Sequence, residues 1–382
     1  MKPNKGAKSK PVKSISSPKS YHKWLLPFVI VVTSVMFYSS LTNGFTNWDD
    51  NINVTDNSEL KSFKGDSLAP TIKNIFEIRE GLVMYAPLVK LSYLAQYVQS
   101  RLNPLPYHLF NLLLHLFNTA LVFGFVWLLC RQHWVAFITA LLFAIHPMHV
   151  ESVAWITGRI DLLYSFFFMG ALCGYLLYLE GGKWKQHFYV ITIALFVLSL
   201  LCKAAAVTLP VVFLLIEYFK GRKFTAKTVL TTAPFFVLSL IFGYIAIYAQ
   251  RGCVVLVDLT QYSFFDRILL SFYALTEYLW KLVLPINLAC IYDYPLKQES
   301  KFLPGKPMFS LVLYATPLII IALAFLVYRS IRFGKDVMFG FSFFLISIVL
   351  VLPGFVLRYA IMPKLISIAG TLIVPLVKTT RQ

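Results

Sequence analysis

Two adjacent carboxylates, Asp49 and Asp50, stand at the end of the longest uncharged stretch near the start of the chain. The preceding stretch, Trp24–Trp48, contains no Asp, Glu, Lys or Arg. A carboxylate positioned at a reacting hydroxyl can act as a general base, so an acidic pair at a membrane surface is suited to acid–base chemistry. Asp also favours turns, and a solvated turn is the alternative interpretation. The spacing alone leaves both interpretations open.

A second polar cluster lies in the segment "HPMHVESVAWITGRIDLL", between two apolar runs. Five ionisable residues fall within it: His146, His149, Glu151, Arg159 and Asp161. Ionisable groups at membrane depth are costly to bury and tend to mark functional sites. Arg159 and Asp161 are candidate substrate-binding residues, although the two side chains are also spaced to pair with each other at a helix start. We therefore treat all five as candidate binding residues.

The two histidines and the acid of this cluster raise the question of a metal. His146, His149 and Glu151 are residue types that bind divalent cations. Pro147, however, disturbs the helix that would present both histidines on one face. The sequence predicts no metal site and no cofactor, with a divalent metal at these residues as the alternative.

Two further polar features lie in apolar surroundings. Lys203, in "LLCKAAAVTLP", follows an apolar run. It is placed either to extend its ammonium group to the membrane surface or to bind a phosphate as a point charge. His108, Asn111 and His115 have i, i+3, i+7 spacing and share one helix face. We interpret that face as one that makes hydrogen bonds between helices.

The composition is that of a membrane protein. Of 382 residues, 58% are hydrophobic and 14% are charged, whereas soluble domains have about 25% charged residues. The net charge of +18 does not indicate nucleic-acid binding, because the basic residues do not form one patch: seven lysines lie in the tail Met1–Lys23, and ten further lysines and arginines lie in short gaps between apolar runs. Such gaps are typical of cytoplasmic loops. The tail itself is predicted to be a disordered cytoplasmic segment.

The fold class predicted is an all-α polytopic membrane protein with nine to ten transmembrane helices. A span needs about 20 apolar residues. The candidate spans are Trp24–Leu41, Pro106–Cys130, Trp134–Val150, Leu162–Leu179, Phe188–Cys202, Ala204–Phe219, Thr228–Gln250, Phe309–Tyr328, Val337–Leu357 and a short tenth, Leu365–Val377.

The basic residues also predict which loops face outward. The apolar segment Phe264–Leu284 carries four charged residues. If this segment does not cross the membrane, the tail and four short gaps between spans all lie on the cytoplasmic side. Together they hold 17 of the 35 lysines and arginines, as the positive-inside rule expects. We therefore predict an interfacial or re-entrant helix at Phe264–Leu284 within an outer loop, residues 251–308. Thr42–Leu105 is predicted to be the first outer loop, which places Asp49 and Asp50 outside.

Several stretches, in this order, resemble one family. They are "NWDDNINVTDN", "YAPLVKLSYLAQYV", "PYHLFNLLLHLFN", "FAIHPMHVESVAWITGRIDLL", "LLCKAAAVTLP" and "RILLSFYALTEYLWKLVLPINLACIYDYP". They are similar to the membrane domain of the transmembrane and tetratricopeptide-repeat O-mannosyltransferases and their bacterial relatives. More distantly, the layout resembles the protein O-mannosyltransferases of the GT-C fold. The resemblance covers Trp24 to Pro295, and weakly extends to Leu357.

The resemblance implies a function. It implies a hexose, mannose-like, carried on polyprenyl or dolichyl phosphate and transferred to a hydroxyl of a protein or glycan acceptor on the outer face. It implies an acidic pair at the catalytic centre, which is here Asp49 and Asp50. For such a donor we predict that Arg159 and Lys203 contact the leaving phosphate. His146 and His149 are placed to donate to phosphate or sugar oxygens. The expected location is a bacterial inner membrane, or the endoplasmic reticulum in a eukaryote, with a cytoplasmic N-terminus.

The sequence also departs from the family. Ala86 stands where relatives often have Arg, Ala204 follows the lysine where many have Glu or Pro, and "RYAIMP" (Arg358–Pro363) lacks the second Tyr of a family motif. Tetratricopeptide repeats do not follow within these 382 residues, which is the expectation for a truncated member. Two alternatives to the enzyme remain: a secondary transporter and a non-catalytic membrane scaffold.

Overall fold

The protein is almost entirely helical. The computed structural model describes residues 21–61, 68–252, 263–289, 292–293, 307–332, 334–352 and 360–361. Within these ranges, the only strands are two-residue segments, β1 (Tyr292–Asp293) and β2 (Ala360–Ile361), which pair antiparallel with Tyr292 opposite Ile361. The predicted all-α class is confirmed.

Fourteen α-helices occur in the described residues. Their bounds are α1 Leu25–Met36, α2 Ser58–Lys61, α3 Ala69–Phe76, α4 Pro87–Ser100, α5 Pro104–Cys130, α6 His133–Ile145, α7 Val150–Ala154, α8 Arg159–Glu180, α9 Lys185–Cys202, α10 Leu209–Phe219, α11 Ala226–Ala249, α12 Phe264–Val283, α13 Pro307–Ser330 and α14 Asp336–Ile348. A π-helical turn, Asn51–Thr55, precedes α2.

Helices α5 and α8 form the centre of the bundle, and α9 packs along α8. The membrane-length part of α8, Ile156–Glu180, is 72% buried over its most apolar window, whereas the corresponding part of α11 is 11% buried. Gly174 on α8 permits a close approach to α9, because a Cβ there would lie 2.7 Å from Thr192 Oγ1. Small residues at such crossings are typical of helix packing in membranes. The central helices therefore provide a rigid base for the loops at their ends.

Fewer helices than predicted have the length of a span. Within the described part of the chain, five helices are long and apolar enough to cross a membrane, or six if the bent pair α6–α7 counts as one. Three predicted spans are shorter apolar helices instead, at His22–Met36, Ala204–Phe219 and Asp336–Ile348. The number nine to ten is thus not confirmed by helix length. The predicted tenth span, Leu365–Val377, and nearly all of the tail lie outside the described residues.

The chain bends sharply inside one predicted span. Trp134–Val150 was predicted as a single crossing, but α6 ends at Ile145 and the next helical segment, Pro147–Ala154, is inclined to it by 52°. Pro147 explains the break, because proline has no backbone N–H to donate within a helix and its ring clashes with the carbonyl group one turn earlier. Because of this bend, the residues after His146 do not continue along the α6 axis but run across the end of the bundle.

The first predicted outer loop is more ordered than a polar connection. Residues 42–105 contain the π-turn and helices α2, α3 and α4. Helix α4 buries Val89, Tyr93 and Leu94 against the bundle, so the loop is anchored by its own apolar face. This face explains why a segment that is too polar to cross a membrane still packs tightly.

The segment Phe264–Leu284 is a helix, α12, and is not among the helices that qualify as spans. It begins with a capping box in which Ser263 and Asp266 bond each other's backbone. Leu270, Ala274 and Tyr278 are buried against the bundle, whereas Phe264, Phe265 and Trp280 are exposed. The four charged residues of the helix are half-buried. The helix is as predicted, and its side of the membrane stays a prediction.

Candidate functional site

Asp50 is the most strongly fixed residue of the acidic pair. It is fully buried. Its Oδ2 accepts hydrogen bonds from the Thr46 backbone N–H and Oγ1, each at 2.9 Å. Its Oδ1 accepts from the Thr157 backbone N–H at 3.0 Å and from Thr157 Oγ1 at 2.6 Å. Four donors satisfy the carboxylate, so Asp50 ties the first loop to the turn that precedes α8.

Asp49 has the opposite environment. It is exposed, and among the described residues its carboxylate accepts no hydrogen bond from a side chain or backbone. Only its backbone carbonyl is engaged, by Asn53 Nδ2 at 2.9 Å. Of the two adjacent carboxylates, Asp49 is the one that is accessible to an incoming hydroxyl group.

The turn that donates to Asp50 is itself held in place by side chains of α4 and α5. Asn111 on α5 donates from Nδ2 to the carbonyls of Trp155 and Ile156, at 3.0 and 3.3 Å. Tyr93 on α4 donates its hydroxyl to the Ile156 carbonyl at 3.3 Å. A carbonyl pair held by two helices leaves the turn little freedom. The interpretation of the Asn111 face as one that bonds between helices is confirmed here, and His115 likewise reaches the Ala144 carbonyl at 2.9 Å.

Gly158 makes the same turn possible. A Cβ at this position would lie 2.7 Å from the Ser152 carbonyl oxygen and 2.9 Å from the Glu151 carbonyl oxygen. Both neighbours are backbone atoms, which cannot rotate away as a side chain can. Only glycine therefore allows the turn to pack against α7.

We expect Gly158→Ala to destabilise the protein by about 1–3 kcal/mol, the usual cost of forcing an extra carbon into a packed site. The measurement is the thermal unfolding midpoint of purified protein in detergent. Gly124→Ala on α5 is the matched control, because a Cβ there meets nothing within 4 Å and alanine favours a helix. Equal midpoints for the Gly158 variant and wild type would contradict the close packing.

Arg159 is enclosed by the protein. It is 0% exposed, and its Nε donates to Asn111 Oδ1 at 2.9 Å while Nη2 donates to the Tyr107 carbonyl at 3.2 Å. Three rings surround the guanidinium, with Tyr93, Phe110 and Tyr107 centroids at 4.6, 4.8 and 5.5 Å. In this arrangement the cation is a core element, and its contact with a donor phosphate stays a prediction.

Lys203 pairs with Asp161. Its Nζ donates to Asp161 Oδ1, and the two side chains are only 12% and 5% exposed. The ion pair joins the end of α9 to the first turn of α8. The alternative in which Asp161 pairs with Arg159 is therefore wrong, because Arg159 turns the other way, toward α5.

The histidines of the cluster fix local structure. His146 Nδ1 accepts from the Met148 N–H at 3.3 Å, so the proton resides on Nε2, which lies 3.0 Å from the Leu282 carbonyl and donates to it. His149 packs its ring against Phe143 and His115, at centroid distances of 4.3 and 5.2 Å. In the described part of the chain, no group of three or more His, Cys, Asp or Glu is placed to hold a metal ion.

An apolar cavity of about 640 Å³ lies beside the acidic loop. Its lining residues are Thr46, Asn47, Trp48, Pro147, Met148, Val150, Glu151, Ala154, Trp155, Leu288 and Ala289. Glu151 is the one charged residue in this lining, which otherwise consists mainly of apolar side chains. Trp48 and Trp155 meet edge to face with centroids 6.3 Å apart. The volume suits a substrate group rather than a water cluster.

The structure thus brings Asp50, Arg159 and the cavity residue Glu151 to one end of the bundle, and the Lys203–Asp161 ion pair lies at the same end, at the first turn of α8. Sequence reasoning missed Thr46, Thr157, Tyr93 and Trp155. The signal for Thr157 was its place in "WITGR", within the stretch that carries the most specific resemblance. Nothing in the local pattern points from Thr157 to Asp50, because 107 residues separate them.

The fold and site define a helical membrane protein with an acidic loop fixed over its central helices. No family model matches the chain. Among curated proteins, it is 28% identical over 218 residues to the protein O-mannosyl-transferase TMTC3 of Homo sapiens, over 54% of this chain and 23% of the relative. It is 31% identical over 179 residues to Tmtc1 of Drosophila melanogaster, over 46% and 20%, and 41% identical over 92 residues to TMTC2 of Homo sapiens, over 24% and 11%.

These matches support the TMTC O-mannosyltransferase family for this chain and confirm the resemblance found in its motifs. The matched region spans less than a quarter of the length of each of these three relatives. No solved structure matches the chain significantly.

Proposed function

We propose that the protein is a membrane glycosyltransferase that moves a mannose-like hexose from a polyprenyl- or dolichyl-phosphate carrier to an acceptor hydroxyl. The acceptor is a protein or glycan on the outer face of the membrane. The names of the relatives, all protein O-mannosyl-transferases, support the transfer of a hexose. The donor, the face and the mechanism are our own extension.

One observation carries the proposal: the acidic pair is divided into a buried anchor and an exposed carboxylate. Asp50 is saturated by four donors, whereas Asp49 faces outward. A general base needs access to the hydroxyl that it deprotonates. We assign the base to Asp49, and we assign inversion by a single displacement, because one accessible carboxylate serves one attack.

The leaving group would be a lipid phosphate, which needs cations. Arg159 and Lys203 are our candidates, with His146, His149, Glu151 and Asp161 lining the wider site. Since both cations are engaged with protein partners, donor binding requires either a rearrangement or a long-range field. We propose the field for the buried Arg159. The carrier's apolar chain would lie along the bundle, so the donor needs no soluble nucleotide pocket.

The fold that we propose is GT-C-like with nine to ten spans. The six candidate crossings, counted with the bent pair, and the three shorter apolar helices together give nine. Shorter helices can cross where the bilayer thins locally. The N-terminus is then cytoplasmic and the Asp49 loop is outside.

Transfer, transport and a purely structural role predict different fates for the sugar. The test is purified protein in proteoliposomes that contain radiolabelled polyprenyl-phosphate hexose, with a hydroxyl-bearing peptide supplied in excess. Our proposal expects the label on the peptide. Label that crosses the bilayer still attached to its carrier, or as free sugar, would indicate a transporter, and label that remains unreacted would indicate a scaffold. Either result contradicts the proposal.

The cavity gives a steric test. We expect Ala154→Trp, which places a large side chain in the 640 Å³ cavity, to slow transfer by about 10²-fold, the scale on which displaced reactants lose rate. Ala226→Trp, at the exposed start of α11, is the matched control and should retain activity. Wild-type rates for both variants would show that substrates do not enter this cavity.

A further inference from the structure

We propose that Thr157 is a positioning residue for the acidic loop: it locks Asp50 to the α7–α8 turn and thereby fixes where Asp49 points. This inference rests on the proposed function for its catalytic consequence, but its structural half stands without it.

The bonds divide evenly between two chain segments. Thr46 supplies two donors to Oδ2 and Thr157 supplies two donors to Oδ1. Hydrogen bonds to an ionised group are stronger than those between neutral groups. The Thr46 bonds are local, four residues apart in the chain, and shape the loop itself. The Thr157 bonds are the ones that join Asp50 to the bundle.

The turn between α7 and α8, which carries Thr157, is itself firmly held. Asn111 and Tyr93 hold the carbonyls at 155 and 156, and Gly158 packs on the Ser152 backbone. Asn111 also accepts from Arg159, so the charge of the buried guanidinium is held in the same network. Asp50 is among the groups whose charge acts on Arg159, which compensates a carboxylate that is taken out of water. Thr157 is therefore attached to a base that does not move easily.

Fixing Asp50 fixes Asp49, because the two are adjacent and continue into the π-turn Asn51–Thr55. Asn53 bonds the Asp49 carbonyl, so the Asp49 backbone is held and the direction in which its side chain leaves the backbone is set. Trp48, on the other side of Asp49, touches Trp155 of the same turn. Two contacts from one turn thus flank the exposed carboxylate, one through Asp50 and one through Trp48.

Hydrogen-exchange mass spectrometry of the full chain in detergent tests the bonds between Thr157 and Asp50 and does not require the protein to transfer sugar. We expect Thr157→Val to speed exchange in the peptide that covers residues 45–57 by about tenfold, because the shortest bond on Asp50, from Thr157 Oγ1 at 2.6 Å, is lost and only the bond from the Thr157 backbone N–H remains. Thr157→Ser retains the hydroxyl and should exchange as wild type does. Thr139→Val is the control, since that buried hydroxyl bonds only its own helix, at Val135. Unchanged exchange in Thr157→Val would overturn the proposal.

Kinetics then test the positioning role. In a preparation that transfers sugar, we expect Thr157→Val to lower kcat by about tenfold with KM changed by less than about threefold, because positioning acts on the transition state more than on binding. Thr157→Ser should restore the rate. Faster exchange with an unchanged kcat would refute positioning and leave only a structural tie. If wild type transfers nothing, the proposed function fails, while the exchange result still decides the lock.

Discussion

Asp49→Asn should lower the turnover of sugar transfer by about 10²–10⁴-fold, the usual contribution of a general base. Asparagine retains the shape of the side chain but does not accept a proton at neutral pH. Because Asp49 is exposed and its carboxylate has no partner among the described residues, the substitution should leave folding and donor binding intact. The measurement is the single-turnover rate at saturating donor, with the unfolding midpoint recorded for the same preparation.

Asp50→Asn is the comparison that separates the two acids. An asparagine offers one acceptor oxygen and one amide nitrogen, so it cannot accept from both backbone N–H groups that now reach Asp50. We expect this variant to lose stability as well as rate. A loss of rate confined to Asp50→Asn would reverse the assigned roles. Normal rates in both variants would move the search to Glu151, the acid that lines the cavity.

Lys203→Met should destabilise the protein by about 3–5 kcal/mol, the cost of leaving a buried charge without its partner. Lys203 and Asp161 are 12% and 5% exposed and bond directly. Lys203→Met combined with Asp161→Asn should recover much of the loss, since no isolated charge remains. The readout is the chemical or thermal unfolding midpoint in detergent.

The same variants decide between the ion pair and a phosphate contact. Lys227→Met, an exposed lysine at the start of α11, should change neither stability nor donor affinity. If Lys203→Met is as stable as wild type but binds the lipid-phosphate sugar more weakly, Lys203 belongs to the donor site and the pair is incidental. A stability loss that is rescued by the double variant would establish the pair as structural.

Helix positions were predictable where apolar runs are long and unbroken. α5, α8, α9, α11 and α13 all occur within a few residues of the predicted spans. The prediction failed where local backbone chemistry interrupts a run. Pro147 bends one predicted span by 52°, and the 3₁₀ segment Ala204–Thr208 shortens another to Leu209–Phe219. A hydropathy profile averages the apolar character of a stretch, so it does not show where a proline or a 3₁₀ segment interrupts the helix.

The candidate site was predictable in its residue types and not in its connections. The acidic pair and the His146–Asp161 segment were recognised as notable, and the structure does bring Asp50 next to that segment, at Thr157. The hydrogen-bond and ion-pair partners of these residues could not be predicted from the sequence. Two positively charged residues with similar sequence signals, Arg159 and Lys203, have different partners: neutral groups of α4 and α5 for one, and an aspartate for the other. Only the packing of distant helices decides this.

The most direct test of the account is a single-turnover transfer of radiolabelled hexose from a polyprenyl phosphate of known anomeric configuration to a synthetic hydroxyl peptide. Wild type and Asp49→Asn are assayed side by side, and the configuration of the product is determined with anomer-specific glycosidases. We predict labelled peptide with inverted configuration from wild type, and a rate that is lower by about 10²-fold or more from the variant. Retained configuration, or equal rates from both proteins, would contradict transfer by a single displacement with Asp49 as the base.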